Sequence, residues 1–340
     1  MRHRQLIFIL LVLLLAALFI ISNIYGAVSL PVAESLRAIF GQSAADSLSH
    51  IIVTESRVPM AVTALLSGAA LSVAGLILQT AFQNPLAGPS ILGVSSGASM
   101  GVSVIMLLGG TALAVAGPLQ YASAIIGAII GAAAVILMLL ALSSMLRSST
   151  MLLIAGIMIG YLTSAVISLL NFFAPAENVK SFVVWGLGSF GGVSLRELPL
   201  FSIVLGVALV GAMLLAKPLD ALLMGERYAA NMGYSIPKLR SLLLSVSGLL
   251  TAVVTAFCGP IGFLGLVVPH IARILFRTSS HHILLPASAL TGAVIALFCS
   301  ILTVVPGMTG VLPINAITPI IGVPVIIYIL LNRRKLAYFN

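Results

Sequence analysis

Long apolar runs separated by short polar or Gly/Pro-rich breaks account for most of the chain. Read as spans they cover residues 5–28, 58–82, 90–110, 117–142, 150–173, 197–216, 239–258, 261–276, 284–305 and 313–332. A helix crosses about 30 Å of hydrocarbon with roughly 20 residues, so the pattern predicts about ten transmembrane helices. The eighth is short. Residues 179–190 form another helix-like stretch, too short to cross; with Trp185 in it, it reads as an interfacial or re-entrant segment. Arg2 and Arg4 ahead of the apolar run 6–21 could pass for a signal peptide, but the run is long for one and lacks a clear small-x-small cleavage site. It is read as an uncleaved first span. The expectation is an all-α polytopic membrane protein, with residues 1–340 as a single transmembrane domain.

Composition agrees. The chain is 61% hydrophobic and 7% charged, and its mean hydropathy is +1.24, which excludes an ordinary soluble domain. The 31 glycines suit close helix contacts in lipid. A net charge of +9 would suggest nucleic acid in a soluble protein; here the bases follow topology, and no nucleic-acid partner is expected. With the N-terminus inside, twelve of the sixteen bases (Arg2, Arg4, Arg147, Lys217, Arg227, Lys238, Arg240, Arg273, Arg277, Arg333, Arg334, Lys335) lie on the inner side. Arg37, Arg57, Lys180 and Arg196 lie outside, with Glu34, Asp46, Glu55, Glu177 and Glu197. Both termini are therefore expected in the cytoplasm. Cys258 and Cys299 sit in apolar runs without a Cys-x-x-Cys pair and read as buried thiols, with no metal site.

From Val58 to Leu146 there is no Asp, Glu, Lys, Arg or His. Carriers driven by protons generally hold such groups at membrane depth despite a cost of about 2.5 to 3.5 kcal/mol or more. Their absence weakens a gradient-driven carrier, although backbone carbonyls at broken helices can still hold sodium. No acid–base pair, activated nucleophile or metal cluster marks an enzyme, and no Walker A sequence is present. Active transport would need a partner as its energy source. Residues 217–240 carry six of the chain's charges, and Gly225 to Gly233 read as a short helix ended by glycine. By itself the segment reads equally as a solvated hairpin.

Residues 259–273, Gly-Pro-Ile-Gly-Phe-Leu-Gly-Leu-Val-Val-Pro-His-Ile-Ala-Arg, are too rich in helix breakers for a quiet span: Gly259, Pro260, Gly262, Gly265 and Pro269 each weaken helix, and His270 and Arg273 follow. Irregular backbone survives at membrane depth only where protein or water satisfies it, so the stretch should face protein. Thr255-Ala256-Phe257 before Gly259-Pro260 echoes Thr80-Ala81-Phe82 before Asn84-Pro85. That is either chance in an apolar background or a trace of an inverted repeat.

The 259–273 stretch resembles the signature of the FecCD-type permeases, membrane subunits of bacterial ATP-binding-cassette (ABC) importers for siderophore-iron, haem and cobalamin. The resemblance extends to Arg57-Val58-Pro59, to Gln83-Asn84-Pro85-Leu86-Ala87-Gly88-Pro89 with Leu92 to Ala98, and to Leu312-Pro313-Ile314-Asn315-Ala316. It implies a type II importer permease with spans 2–5 and 7–10 related by inversion. It implies, too, a second permease copy (homodimer or paralogue), two ATPase subunits and a substrate-binding protein. Such a subunit binds no cofactor itself, ATP and Mg sitting on the ATPase, and is no enzyme on its own. By the same resemblance Gly225, Glu226, Ala229, Ala230 and Gly233 would couple to the ATPase. Ser149 and Thr150 would form a cytoplasmic gate, unless they merely cap the fifth span. Arg57 would receive the binding protein, unless it is a snorkelling arginine. Met60 and Val304-Val305 stand where other members can carry further arginines, so docking would lean on Arg37, Lys180 or Arg196. His270, beside Arg273, is not read as a haem ligand, and Trp185 is read as an interfacial anchor.

Overall fold

The computed structural model describes residues 2–41, 47–108, 118–146, 148–305, 307 and 311–331. Asp46, Arg147, Arg333, Arg334 and Lys335 lie outside the described residues. In chain order the helices are α1 Arg2–Ile24, α2 Val32–Ile39, α3 Leu48–Ile51, α4 Val58–Ala81, α5 Val94–Ser103, α6 Pro118–Met145, α7 Ser149–Phe173, α8 Ala176–Gly186 and α9 Leu198–Met213. There follow α10 Ala216–Leu223, α11 Glu226–Asn231, α12 Ile236–Cys258, α13 Leu264–Phe276, α14 His281–Thr303 and α15 Ile314–Leu331. Among the described residues six segments are long and apolar enough to cross a membrane: His3–Ile24, Leu48–Ala81, Tyr121–Met145, Ser149–Phe173, Ile236–Cys258 and His281–Thr303. A seventh is the pair α9–α10, bent by 49°, and Val94–Leu107, Leu264–Phe276 and Ile314–Tyr328 are shorter apolar helices. Each expected span falls on one of these. The chain is a multi-pass membrane protein.

Two boundaries differ from expectation. The second span starts at Leu48, because α3 runs through a π-helical turn, Ile52–Arg57, straight into α4. Glu55 and Arg57 do not end it; Arg57 is buried and internally bonded. The third starts only at Val94, since Gly93 at φ 77° takes the left-handed turn that a side chain resists.

Helix neighbours repeat across the two halves. α4 packs on α14 and α13, while α12 packs on α6 and α5; α5 pairs with α6 and α7, as α13 pairs with α14 and α15. At the centre α4 and α12 lie against each other. They run oppositely, since Gln83 just after α4 reaches α10, near where α12 begins, and Ser67 in the first half of α4 meets Cys258 at the end of α12. This is the arrangement an inverted repeat produces.

Small residues make these contacts close. Gly97 and Gly101 on α5 face Gly131 and Gly127 on α6, each four residues apart, and a Cβ on Gly101 would overlap the Gly127 carbonyl. Gly68 lies against Gly292 of α14, and Gly75 against Gly265 of α13. Helices α4, α5 and α6 contain no charged side chain. Within an eighteen-residue apolar window of Leu48–Ala81, 83% is buried, against 17% in that of His3–Ile24, so α4 forms the centre and α1 the flank of the bundle.

Candidate functional site

The glycine- and proline-rich stretch is buried against protein, as its composition demands. Gly259, at φ 72°, lies so close to the Trp185 carbonyl that a Cβ would overlap it. Pro260 and Gly262 are gripped by one side chain: Asn315 Nδ2 donates to the Pro260 carbonyl at 2.6 Å, and Asn315 Oδ1 accepts from the Gly262 amide at 3.0 Å. Between them and α13 sits Phe263 at φ 67°, ψ −38°, with the Leu264 amide donating to the Gly262 carbonyl at 2.8 Å. That is close to a γ-turn of the strained kind. Sequence reasoning quoted Asn315 within a motif but gave it no task; its task is to hold this turn.

Further along α13, Gly265 packs against Pro89 and Leu71. Pro269 removes one internal hydrogen bond. His270 Nε2 donates to the Pro85 carbonyl at 2.8 Å, and Arg273 Nη1 donates to Gln79 Oε1 at 2.7 Å. Gln79 Nε2 in turn donates to the Leu266 carbonyl at 3.0 Å. Asn84 Oδ1 accepts from the Leu86 amide at 2.9 Å, shaping the turn that presents Pro85. The two motifs recognised far apart in the sequence thus meet in one place. His270 is 7% and Arg273 6% exposed; His270 ties α13 to the α4–α5 connection, and Arg273 ties it to α4.

The same end of the bundle carries α10 and α11. Gly225 at φ 108° separates them, and α11 ends in a Schellman pair, Tyr234 amide to Ala229 carbonyl at 3.1 Å and Gly233 amide to Ala230 carbonyl at 3.0 Å, with Gly233 at φ 91°. Ala229 is buried, while Ala230 is exposed. The hairpin is fastened at two points. At the first, His281 opens α14 with its amide and Nδ1 both donating to Asp220 Oδ1 at 2.7 Å, and its Nε2 lies 2.8 Å from Thr80 Oγ1 of α4. Ser280 Oγ donates to Asp220 Oδ2 at 3.3 Å, and Gln83 Nε2 donates to the Leu222 carbonyl at 3.1 Å. At the second, Glu226 Oε1 accepts from Ser149 Oγ at 2.8 Å and from Arg240 Nη2 at 2.7 Å.

Ser149 and Glu226, singled out separately in the sequence, are therefore bonded to each other. The cap of α7 belongs to Ser148, whose Oγ accepts from the Met151 amide. Ser149 is left for Glu226, and Thr150 is exposed. Sequence reasoning missed Gln79, Thr80, Asp220, Arg240 and His281 as site residues. The available signal was a polar side chain at the edge of an apolar run.

At the opposite end Arg57, expected to receive the binding protein or to snorkel, is 7% exposed. Its guanidinium points inward, donating to the carbonyls of Asn23 at 3.0 Å, Ile24 at 2.7 Å and Val28 at 2.5 Å. The cause is local: carbonyls at the end of α1 lack helical partners, and a cation satisfies them. Gly26 makes room, since a Cβ there would strike the guanidinium. Arg57, Met60 and Val304 line one cavity of about 150 Å³. Met60 and Val304, where other members can carry further arginines, thus line the same cavity as Arg57.

The model of the FecCD transport family matches residues 13–332. The vitamin B12 import system permease protein BtuC of Klebsiella pneumoniae subsp. pneumoniae is 35% identical over 333 residues, 98% of this chain and 95% of that one. BtuC of Escherichia coli O9:H4 (strain HS) is 35% identical over 286 residues, 84% and 85% of the two chains. A solved structure described as an inward-facing metal-chelate type ABC transporter matches with a TM-score of 0.82 at 28% identity, covering 97% of this chain and 99% of that one. Matched from end to end in sequence and in the packing of its helices, the chain belongs to the FecCD transport family.

Proposed function

We propose that the chain is the membrane-spanning subunit of an ABC importer, passing a bulky metal chelate, cobalamin or an iron chelate of the siderophore or haem type, into the cytoplasm. Two copies, or one copy and a paralogue, would enclose the path. The observation that carries the reading is the α10–α11 hairpin, presented on the basic end of the bundle and bonded through Glu226 to the start of α7. That is the connection a device needs if work done by a separate ATPase is to reach the path. In this reading the basic end is cytoplasmic, with both termini, and two ATPase subunits holding ATP and Mg dock on the segment of Gly225, Glu226, Ala229, Ala230 and Gly233, where Ala230 is exposed and Ala229 packs inward. Ser149 and Thr150 stand at the inner gate. A substrate-binding protein docks on the other face through exposed bases such as Lys180 and Arg196, since Arg57 is engaged internally.

The test is intact-complex mass of the chain purified from its native membrane in mild detergent. Two permease copies with two ATPase chains are expected. A stable assembly lacking any ATPase, in a preparation that keeps other complexes whole, overturns the reading in favour of a gradient-driven carrier. Uptake of labelled cobalamin against a labelled ferric siderophore by the reconstituted complex then assigns the cargo.

A further inference from the structure

Arg240 is a buried cation on α12 that touches three other elements at once. Its Nη1 donates to the Leu146 carbonyl at 3.1 Å, and its Nη2 donates to Ser149 Oγ at 3.2 Å and to Glu226 Oε1 at 2.7 Å. Leu146 closes α6, where helix carbonyls lack internal partners and a cation is favoured. Ser149 opens α7, and Glu226 opens α11. The Arg240 side chain is 7% exposed and that of Glu226 38%, so the guanidinium is walled in while the carboxylate stands at the rim. A planar fork with several fixed donors holds such a set in one geometry, as a flexible ammonium does not.

We propose that Arg240 is a positioning residue: a clasp that makes α11 and the α6–α7 junction move as one body. This rests on the importer reading for its purpose, though the clasp itself can be tested without it. In an α-helical hairpin joined to the bundle only by loops, a push on α11 would be absorbed by the glycine joints at Gly225 and Gly233, both at positive φ. The clasp bypasses those joints. Displacement of α11 passes through Glu226 and Arg240 directly to Ser149 and to the end of α6. Asp220, bonded to His281, anchors the other arm of the hairpin to α14. One arm is thereby fixed to the second half of the bundle, and the other is fastened to the junction that opens α7.

The experiment uses the full chain in its purified assembly, with spin labels on Met151→Cys, in the first turn of α7, and Met232→Cys, at the end of α11. Both positions are exposed, and the native Cys258 and Cys299 are buried. With Arg240 in place, one narrow distance distribution is expected between the labels, unchanged when a non-hydrolysable ATP analogue is added. In Arg240→Gln the narrow peak should be lost and nucleotide should shift the distance, while any co-purifying ATPase is retained. The charge-exchanged pair Glu226→Arg with Arg240→Glu should recover the narrow peak in part, which a general loss of packing would not allow. Arg240→Lys keeps the charge and the buried stem, and serves where the glutamine variant does not fold; it too should broaden the distribution. A distribution as narrow in Arg240→Gln or Arg240→Lys as in the unaltered chain overturns the clasp. Absence of an ATPase from the unaltered preparation overturns the importer reading instead, and the broadening without nucleotide still scores the clasp.

Discussion

A glycine pair decides how close two helices can come, and here the separations leave no room for an added carbon. Because a Cβ on Gly101 would overlap the Gly127 carbonyl, Gly101→Val must drive α5 from α6. Overpacking of this kind costs about 1–3 kcal/mol, and the thermal midpoint of the detergent-solubilised chain should fall accordingly. Gly206→Ala is the matched control: nothing lies within 4 Å of Gly206, and an alanine inside a helix gains about 0.5–1 kcal/mol over glycine. That variant should hold or raise the midpoint. Asn315 makes a different prediction. Asn315→Ala leaves the half-buried Pro260 carbonyl and Gly262 amide without their partner, which costs at most the roughly 1–3 kcal/mol per group of full burial. Faster hydrogen exchange over residues 259–266 than over the body of α12 should follow. None of these partnerships was readable in advance. The motif containing Asn315 was visible, but its contact with Gly262 joins positions fifty-three residues apart, and periodicity carries no information at that range.

Elements were more legible than their joints. Apolar runs of spanning length found the long helices, because the hydrocarbon thickness sets their length before any tertiary contact acts. What misled was charge: Glu55 and Arg57 looked like the end of a span, yet the helix continues through them, since a buried guanidinium bonded to three carbonyls behaves as part of the packing. The expected short helix in the 217–240 loop is present as α11, bounded by the glycines that marked it. Gly225 at φ 108° and ψ 152° occupies a region open in practice to glycine alone. Gly225→Ala should cost about 1–3 kcal/mol locally and tilt α11, so that less ATPase co-purifies with the chain. Gly186→Ala, with open space around it, should leave co-purification unchanged.

Across the whole molecule, the neighbour pattern of α4 to α7 returns in α12 to α15, and the faint echo of Thr-Ala-Phe in the sequence marks the same place in each half: the end of the central helix. Orientation is open to a direct check. A membrane-impermeant thiol reagent should label Met224→Cys only from the cytoplasmic side and Lys180→Cys only from outside, with no background from the two buried native thiols; the reverse pattern would invert the topology. The absence of charge from α4, α5 and α6 has one more consequence, which concerns voltage. Moving one elementary charge through a membrane potential of 100 mV changes its energy by about 2.3 kcal/mol. These three helices hold no gating charge, so they can shift within the field at no electrical cost. Any voltage dependence of uptake, measured while the potential across proteoliposomes is clamped, must then come from the passenger or from the cations on other elements, such as Arg57, Arg240 and Arg273, and a charge-neutral variant of each tells the two apart.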